Sequence, residues 1–490
     1  MTEQKKPPYG IIAILFTGAF VAIFTQTLLN IALPAIMTDL KIEASTAQWL
    51  ITGYMLVNGI LIPASAYFIQ RYSNRSIFIL AMSLFALGTL LAGLAPTFSV
   101  LLAARMIQAS GAALMMPLLM NVILVAFPVE RRGSAMGIFG LVMIVAPAIG
   151  PTLSGFVVEH YSWRVLFFIV LPLALIPLAL GIFKLKNLTS QNKELTLDKT
   201  SLVFSSLGFG GILYGFSAAG QNGWSDPYVL GTISIGVVSL VTFIFRQFKL
   251  KDPLLEFRIY KYPMFALSSA ISIVVSISMF SAMILMPIYV QTIKGISPMD
   301  SGLIMLPGAL VMGFMSPVTG KLFDKYGAKI LAIIGMSIVV ISTYFFSDLS
   351  LDTSYLHIMF LYTIRMLGIS MVMMPIMTNG LNSLPKRVYP HGTAMNNTLQ
   401  QVSGAIGSAL LITVMNTRAT SAGKDLALSG ADPASIIKSS LMEGINYTFF
   451  ISTFIAAAAL LLTLFIKKPQ IPVTEEEKDR VFTQEPVNES

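Results

Sequence analysis

Long apolar runs, separated by short basic or glycine- and proline-containing breaks, set the rhythm of this chain. Runs of about 18 or more mainly apolar residues are long enough for a helix to cross a bilayer. They begin near Ile11, Gln48, Ser76, Val100, Gly133, Val165, Ser201, Tyr228, Met264, Ser301, Ala328, Tyr355, Thr393 and Asn446. The pattern predicts an all-α membrane protein with fourteen transmembrane helices. The first run, 11 to 33, is too long for a signal-peptide core and lacks a small-residue cleavage pattern, so it is expected to stay as the first span. At the other end, residues 469–490 are polar and Glu-rich and predict a disordered tail.

The runs repeat. Gly133-Ser-Ala-Met at the start of the fifth recurs as Gly392-Thr-Ala-Met at the thirteenth, and Ala148-Ile-Gly as Ala405-Ile-Gly. Ala66-Tyr-Phe-Ile-Gln-Arg-Tyr-Ser-Asn-Arg after the second answers Gly320-Lys-Leu-Phe-Asp-Lys-Tyr-Gly-Ala-Lys after the tenth, and Arg105 and Pro117 answer Arg365 and Pro375. Three pairs at nearly one offset indicate two six-helix bundles related as parallel repeats. The expected units are 1–186 (spans one to six), a linker 187–262 carrying two inserted spans, 263–468 (spans nine to fourteen), and the tail.

Composition agrees with burial in lipid: of 490 residues, 55% are hydrophobic and 11% charged. There is no cysteine, and three scattered histidines offer no metal constellation, so no metal or other cofactor is expected. The net charge of +9 does not point to nucleic acid, because the basic residues sit in short loops. With the N-terminus in the cytoplasm, most of the 32 Lys and Arg fall in cytoplasmic segments. Only Lys41, Arg164, Lys294, Arg418, Lys424 and Lys438 fall outside, with Arg105 and Arg365 inside spans. That asymmetry fits the positive-inside rule and puts both termini in the cytoplasm of a multi-pass cell-membrane protein.

The fifth run, residues 133–155, carries no charge but holds Pro147 and Pro151, which remove backbone donors and are expected to bend the helix. Ala146, Gly150 and Ser154 recur every four residues and strip one face of bulk, as a moving seam requires; ordinary tight packing accounts for the same spacing. In the fourth run Arg105 is costly unless paired or facing water, with Gln108 one turn along on its face; snorkelling to a span end is the plainer reading. Gln26, Asn30, Asn58, Asn121, Asn396, Asn397 and Gln400 are the uncharged polar residues suited to a central cavity, or equally to helix-to-helix bonds. The 28 methionines suit a surface that repacks around different ligands, although gap filling is the common use. None of the 23 Asp and Glu falls near the middle of a run; those nearest to one are Glu159, Asp39, Glu43 and Glu443.

The order Gly137, eight residues, Ala146, three residues, Gly150-Pro151, two residues, Ser154-Gly155 resembles the antiporter motif of the major facilitator superfamily, with Ala146 and Ser154 in place of glycines. Arg105, two residues, Gln108-Ala109, one residue, Gly111 resembles that superfamily's arginine motif, and Gly320 to Lys329 its cytoplasmic loop motif. Trp163-Arg164, LMPIYVQTIKG and SGLIMLPGAL extend the likeness over nearly the whole chain, which resembles the fourteen-span drug:proton antiporters of the lincomycin-resistance type.

The resemblance implies export of small amphipathic, drug-like compounds by alternating access in exchange for protons, and no enzymatic activity; a monomer in the bilayer is expected. It implies a proton-coupling role for Arg105, with Gln108 beside it. It also implies that Asp324 fastens the halves at the inner mouth by facing Arg131, Arg132 or the N-terminal end of span five. Lys325, Gln70 and Arg71 lie in the same loops; Ala66, Gln70 and Ser73 replace the motif's Gly, Asp and Gly, which is expected to weaken the first-half copy. With no mid-span carboxylate, the proton is expected on Glu159, Asp39 or Glu43 at the outer mouth, and neutral or weakly charged substrates are expected to be preferred. A facilitator or lipid or metabolite exporter of the same fold is the rival within transport; a membrane sensor or scaffold, or a membrane enzyme, is the rival outside it.

Overall fold

The computed structural model describes residues 9–42, 44–188, 191–428 and 433–467. Fourteen α-helices run through them. The first six are α1 (Tyr9–Leu40), α2 (Ala44–Arg71), α3 (Asn74–Gly93), α4 (Phe98–Ala126), α5 (Arg132–His160) and α6 (Arg164–Lys184). Two inserted helices follow, α7 (Lys199–Asn222) and α8 (Pro227–Lys249). The last six are α9 (Pro263–Pro287), α10 (Pro298–Tyr326), α11 (Ala328–Phe345), α12 (Tyr355–Asn382), α13 (Tyr389–Leu428) and α14 (Pro433–Thr463). Twelve of the fourteen are long and apolar enough to cross a membrane; the other two, α5 and α9, are 29 and 25 residues long.

Each apolar run is thus a helix, and the starts agree to about one turn except the last, which begins at Pro433 rather than near Asn446. The polar stretch before Asn446 is helical because α13 and α14 run on together as a hairpin. Arg418 Nη2 meets Glu443 Oε1 at 2.8 Å, and a Cβ on Gly444 would come within 2.5 Å of Met415 O. Polarity marks where a span leaves the membrane, not where a helix stops. The expected tail lies outside the described residues.

Local chemistry sets the other ends. Asp226 caps α8 by accepting the N–H groups of Tyr228 and Val229, with Pro227 at the first helical position. A single residue, Gly327 at φ 80°, turns α10 into α11, a conformation that favours glycine. Outward faces are apolar: Phe183, Phe245, Phe314 and Phe454 are exposed, whereas Ser239 and Gln247 of α8 point inward. A soluble helix would be arranged the other way.

Helices α1–α6 and α9–α14 form two halves. One apolar core fills the first and continues through Leu381, Tyr389 and Met395 at one end of the second, which has a further core of its own. The joined end carries the connections after α2, α4, α6, α8, α10 and α12 and is called the basic end. Helix α5 lies along α10, and α2 along α13. Helix α7 touches both α2 and α13, and α8 packs on α7.

Candidate functional site

At the basic end the two halves are fastened by hydrogen bonds. Asp324, in the last turn of α10, accepts from the main-chain N–H of Gly133 and of Ser134, each at 2.8 Å, and from the Ser134 hydroxyl. Gly133 and Ser134 stand in the first turn of α5, whose N–H groups have no partner within the helix and whose dipole favours an anion. Asp324 therefore takes the helix end and neither arginine. Arg131 and Lys325 are exposed, Lys325 lying over the Tyr326 ring. Arg71 is half-buried, with no hydrogen bond at Nη1.

Arg132 makes a second tie. Its buried guanidinium donates to Asn382 Oδ1 at 2.8 Å and Tyr389 Oη at 3.0 Å in the second half, and to the Leu124 and Phe127 carbonyls in the first. Gln70 makes a third, its amide lying 2.9 Å from His391 Nε2. Asn397 Nδ2 makes a fourth, meeting Met120 Sδ at 3.1 Å. The first-half loop is thus engaged, through an amide where the second half has a carboxylate. Tyr389 and His391 escaped sequence reasoning, although the repeat held a signal: Arg132 and His391 each precede the shared Gly-Ser/Thr-Ala-Met.

The small residues of α5 divide between two neighbours. Towards the basic end, Gly133, Gly137 and Gly140 meet α10: a Cβ on Gly137 would lie 2.6 Å from Ser316 O, and one on Gly320 would collide with the Gly133 carbonyl. Further along, a Cβ on Gly150 would run into Thr27 of α1, and Ser154 Oγ donates to Leu28 O at 2.6 Å, both inside the first half. Ala146 is fully buried, and Gly155 has open space beside it. The side chains of Pro147 and Pro151 lie outside the described residues; α5 runs unbroken past them.

Arg105 is 1% exposed and its guanidinium sits 4.3 Å from the centre of the Tyr54 ring. It donates to Gln108 Oε1, and Gln108 Nε2 donates to Thr89 Oγ1 at 2.7 Å. Asn58, one turn along α2 from Tyr54, is buried with no hydrogen bond at Oδ1. Among the described residues no carboxylate meets Arg105; the charge rests on a π face and an amide. The second half repeats the arrangement: Arg365, fully buried, donates to Thr343 Oγ1 at 3.1 Å and to Ser278 Oγ at 2.9 Å.

Asn396 and Gln400 line a small cavity of about 20 Å³ with Ser272, Ser276, Met373 and Met377. Asn121 is buried with no hydrogen bond at Oδ1, and Gln26 is half-buried. The Asn30 side chain and Glu43 lie outside the described residues.

At the end opposite the basic one, Asp39 accepts from Arg164 Nη1 at 2.7 Å and Trp163 Nε1 at 3.1 Å. These bonds hold the Asp39 carboxyl below the usual carboxylate range. Glu159 is exposed, and Glu443 is paired with Arg418.

The Major Facilitator Superfamily model matches residues 15–408. A lincomycin resistance protein, LmrB of Bacillus subtilis, is 44% identical over 96% of this chain and 98% of its own. The protein of that name from Listeria innocua is 43% identical over 95% of this chain and 98% of its own. Among solved structures, the human organic anion transporter MFSD10 superposes with a TM-score of 0.63 at 12% identity, covering 92% of this chain and 100% of that one.

Proposed function

The chain belongs to the major facilitator superfamily, and from that premise we propose that it exports small amphipathic, drug-like compounds across the cell membrane in exchange for protons. It is a transporter, not an enzyme. The observation that carries the reading is the set of cross-half bonds at the basic end, made by Asp324, Arg132, Gln70 and Asn397. Two bundles pinned at one end form one of the two states that alternating access needs. The basic end is the cytoplasmic one by its charge, with α5 and α9 completing fourteen spans. The resistance-protein relatives supply the substrate class.

Breaking these bonds would open the inner mouth and admit substrate; remaking them would commit it outward. The polar and thioether groups near Asn396 and Gln400 suit neutral or weakly charged ligands, since no carboxylate is among the residues lining that cavity. Proton coupling falls to the outer end. Asp39 is committed to Arg164 and Trp163 and holds a proton poorly. Glu159, exposed at the end of the antiporter helix, is the better carrier. The test is substrate-dependent proton flux in liposomes: drug movement against its gradient, driven by an imposed pH gradient, supports the reading. Drug flux indifferent to pH would replace it with a facilitator.

A further inference from the structure

Gln70 and Asp324 hold matching places in the two halves, yet they close the basic end with different chemistry. Asp324 reaches main-chain N–H groups, whereas Gln70 reaches an imidazole. His391 is buried, and its second ring nitrogen, Nδ1, accepts the main-chain N–H of Glu256 at 3.2 Å in the segment joining α8 to α9. Gln70 is gripped from an earlier part of the same linker too, its main-chain carbonyl accepting the Asn192 N–H at 2.9 Å. One histidine therefore joins α2 of the first half, α13 of the second and the inserted linker.

A main-chain N–H can only donate, so Nδ1 carries no proton and the ring is neutral with its hydrogen on Nε2. The Gln70 amide then turns its oxygen to that hydrogen and gives up the bond its nitrogen makes to Ala66 O at 3.1 Å, since amide oxygen and nitrogen are assigned by such networks. A second proton, taken from cytosolic water onto Nδ1, would set two donors face to face and leave a buried cation without an accepting partner.

The ring borders a cavity of about 540 Å³. Its charged lining offers the cation little: Asp198 is taken by Arg246 at 2.7 and 3.0 Å, and Glu256 by Arg258 at 3.4 Å. Lys251, Asp252 and Arg387 remain at the exposed rim with a net positive charge, and Tyr67 and Tyr262 are uncharged.

We propose that His391 is a proton-sensitive clasp on the inner mouth: neutral, it ties both halves and the inserted linker in the closed state; protonated, it releases them, so that cytosolic acid favours the inward-open state. The inference rests on the alternating-access reading above. His391 acts by positioning, since nothing places it against substrate.

The cysteine-free chain allows a direct test. Spin labels at Ser76→Cys and Lys329→Cys, near the basic-end starts of α3 and α11, report the separation of the halves by electron–electron double resonance on protein in lipid nanodiscs. Lowering the pH from about 8 to about 5.5, through histidine's ordinary range, should raise the open-to-closed ratio by up to about tenfold per pH unit. His391→Gln, which keeps an acceptor for Glu256 N–H, should abolish the response. Gln70→Glu, which offers the imidazolium a carboxylate, should flatten or reverse it. A full acid response in His391→Gln, or none in the wild type, overturns the clasp. A distance that moves with substrate but not with acid overturns the clasp alone; one that moves with neither overturns alternating access as well.

Discussion

Asp324 and Gly133, 191 residues apart, meet as a carboxylate and the open end of a helix. The aspartate sits where the resemblance predicts a fastening residue, but two of its three donors are backbone, so removing the Ser134 hydroxyl leaves the Gly133 and Ser134 N–H bonds in place.

Asp324→Asn keeps one acceptor and loses the charge and the second oxygen. Charge-assisted bonds at a helix N-terminus lose about 2 kcal/mol in such a change, or roughly 30-fold in the closed-to-open ratio. Transport rate should therefore fall more than substrate affinity. Initial rates over a range of drug concentrations check this; a change confined to affinity would put Asp324 in the binding site instead.

Gly320→Ala and Gly150→Ala separate the two seams of α5. At 320 the new Cβ meets the Gly133 carbonyl, backbone that cannot turn aside; at 150 it meets the Thr27 side chain, whose hydroxyl can rotate and whose Cβ, 3.0 Å away, has to give by only a few tenths of an ångström. Export should drop by an order of magnitude or more in the first, with normal protein in the membrane, since about 1.4 kcal/mol of lost closure already costs tenfold. The second should keep most activity. The reverse result would move the moving seam to the α1 side.

The helices, the two-half repeat and the buried arginine were legible because lipid demands long apolar runs and isolates every polar exception. Partner choice was not. The period of Ala146, Gly150 and Ser154 fixes a face, but nothing in it says that α5 changes neighbour, from α10 near Gly137 to α1 near Gly150. The Gln70 loop reads as a weakened copy of the Asp324 loop only if a carboxylate is required. Its partner lies on the far side of the repeat, where Arg132 and His391 differ too much in type to be matched by composition.

Arg105 should tolerate loss of the Tyr54 hydroxyl better than loss of its own planarity. Tyr54→Phe keeps the ring under the guanidinium, while Arg105→Lys gives up the stacking and the Nη1 bond to Gln108. A desolvated cation–π contact contributes about 2 kcal/mol. Thermal unfolding should fall markedly in Arg105→Lys and little in Tyr54→Phe, and pH-driven export should follow the same order. Equal losses would shift the weight from the ring to the Tyr54 hydroxyl.

The proton carrier can be sought by exclusion at the outer end. Asp39 has its folded titration point depressed by Arg164 and Trp163, so the pair stabilises the protein at pH values above the ordinary carboxylate value. That stabilisation is lost as the pH falls through the unfolded value of about 3.9 toward the lower folded one. Melting temperatures should accordingly fall more between mildly acidic and strongly acidic pH in the wild type than in Asp39→Asn. A carboxylate so engaged keeps its charge throughout the physiological range, and Asp39→Asn should still exchange drug for protons with the wild-type pH dependence. Glu159→Gln should not, because Glu159, exposed at the end of α5, is in none of the ion pairs among the described residues. If Glu159→Gln couples normally and Asp39→Asn does not, the Arg164 pair must break during the cycle and Asp39 is the carrier.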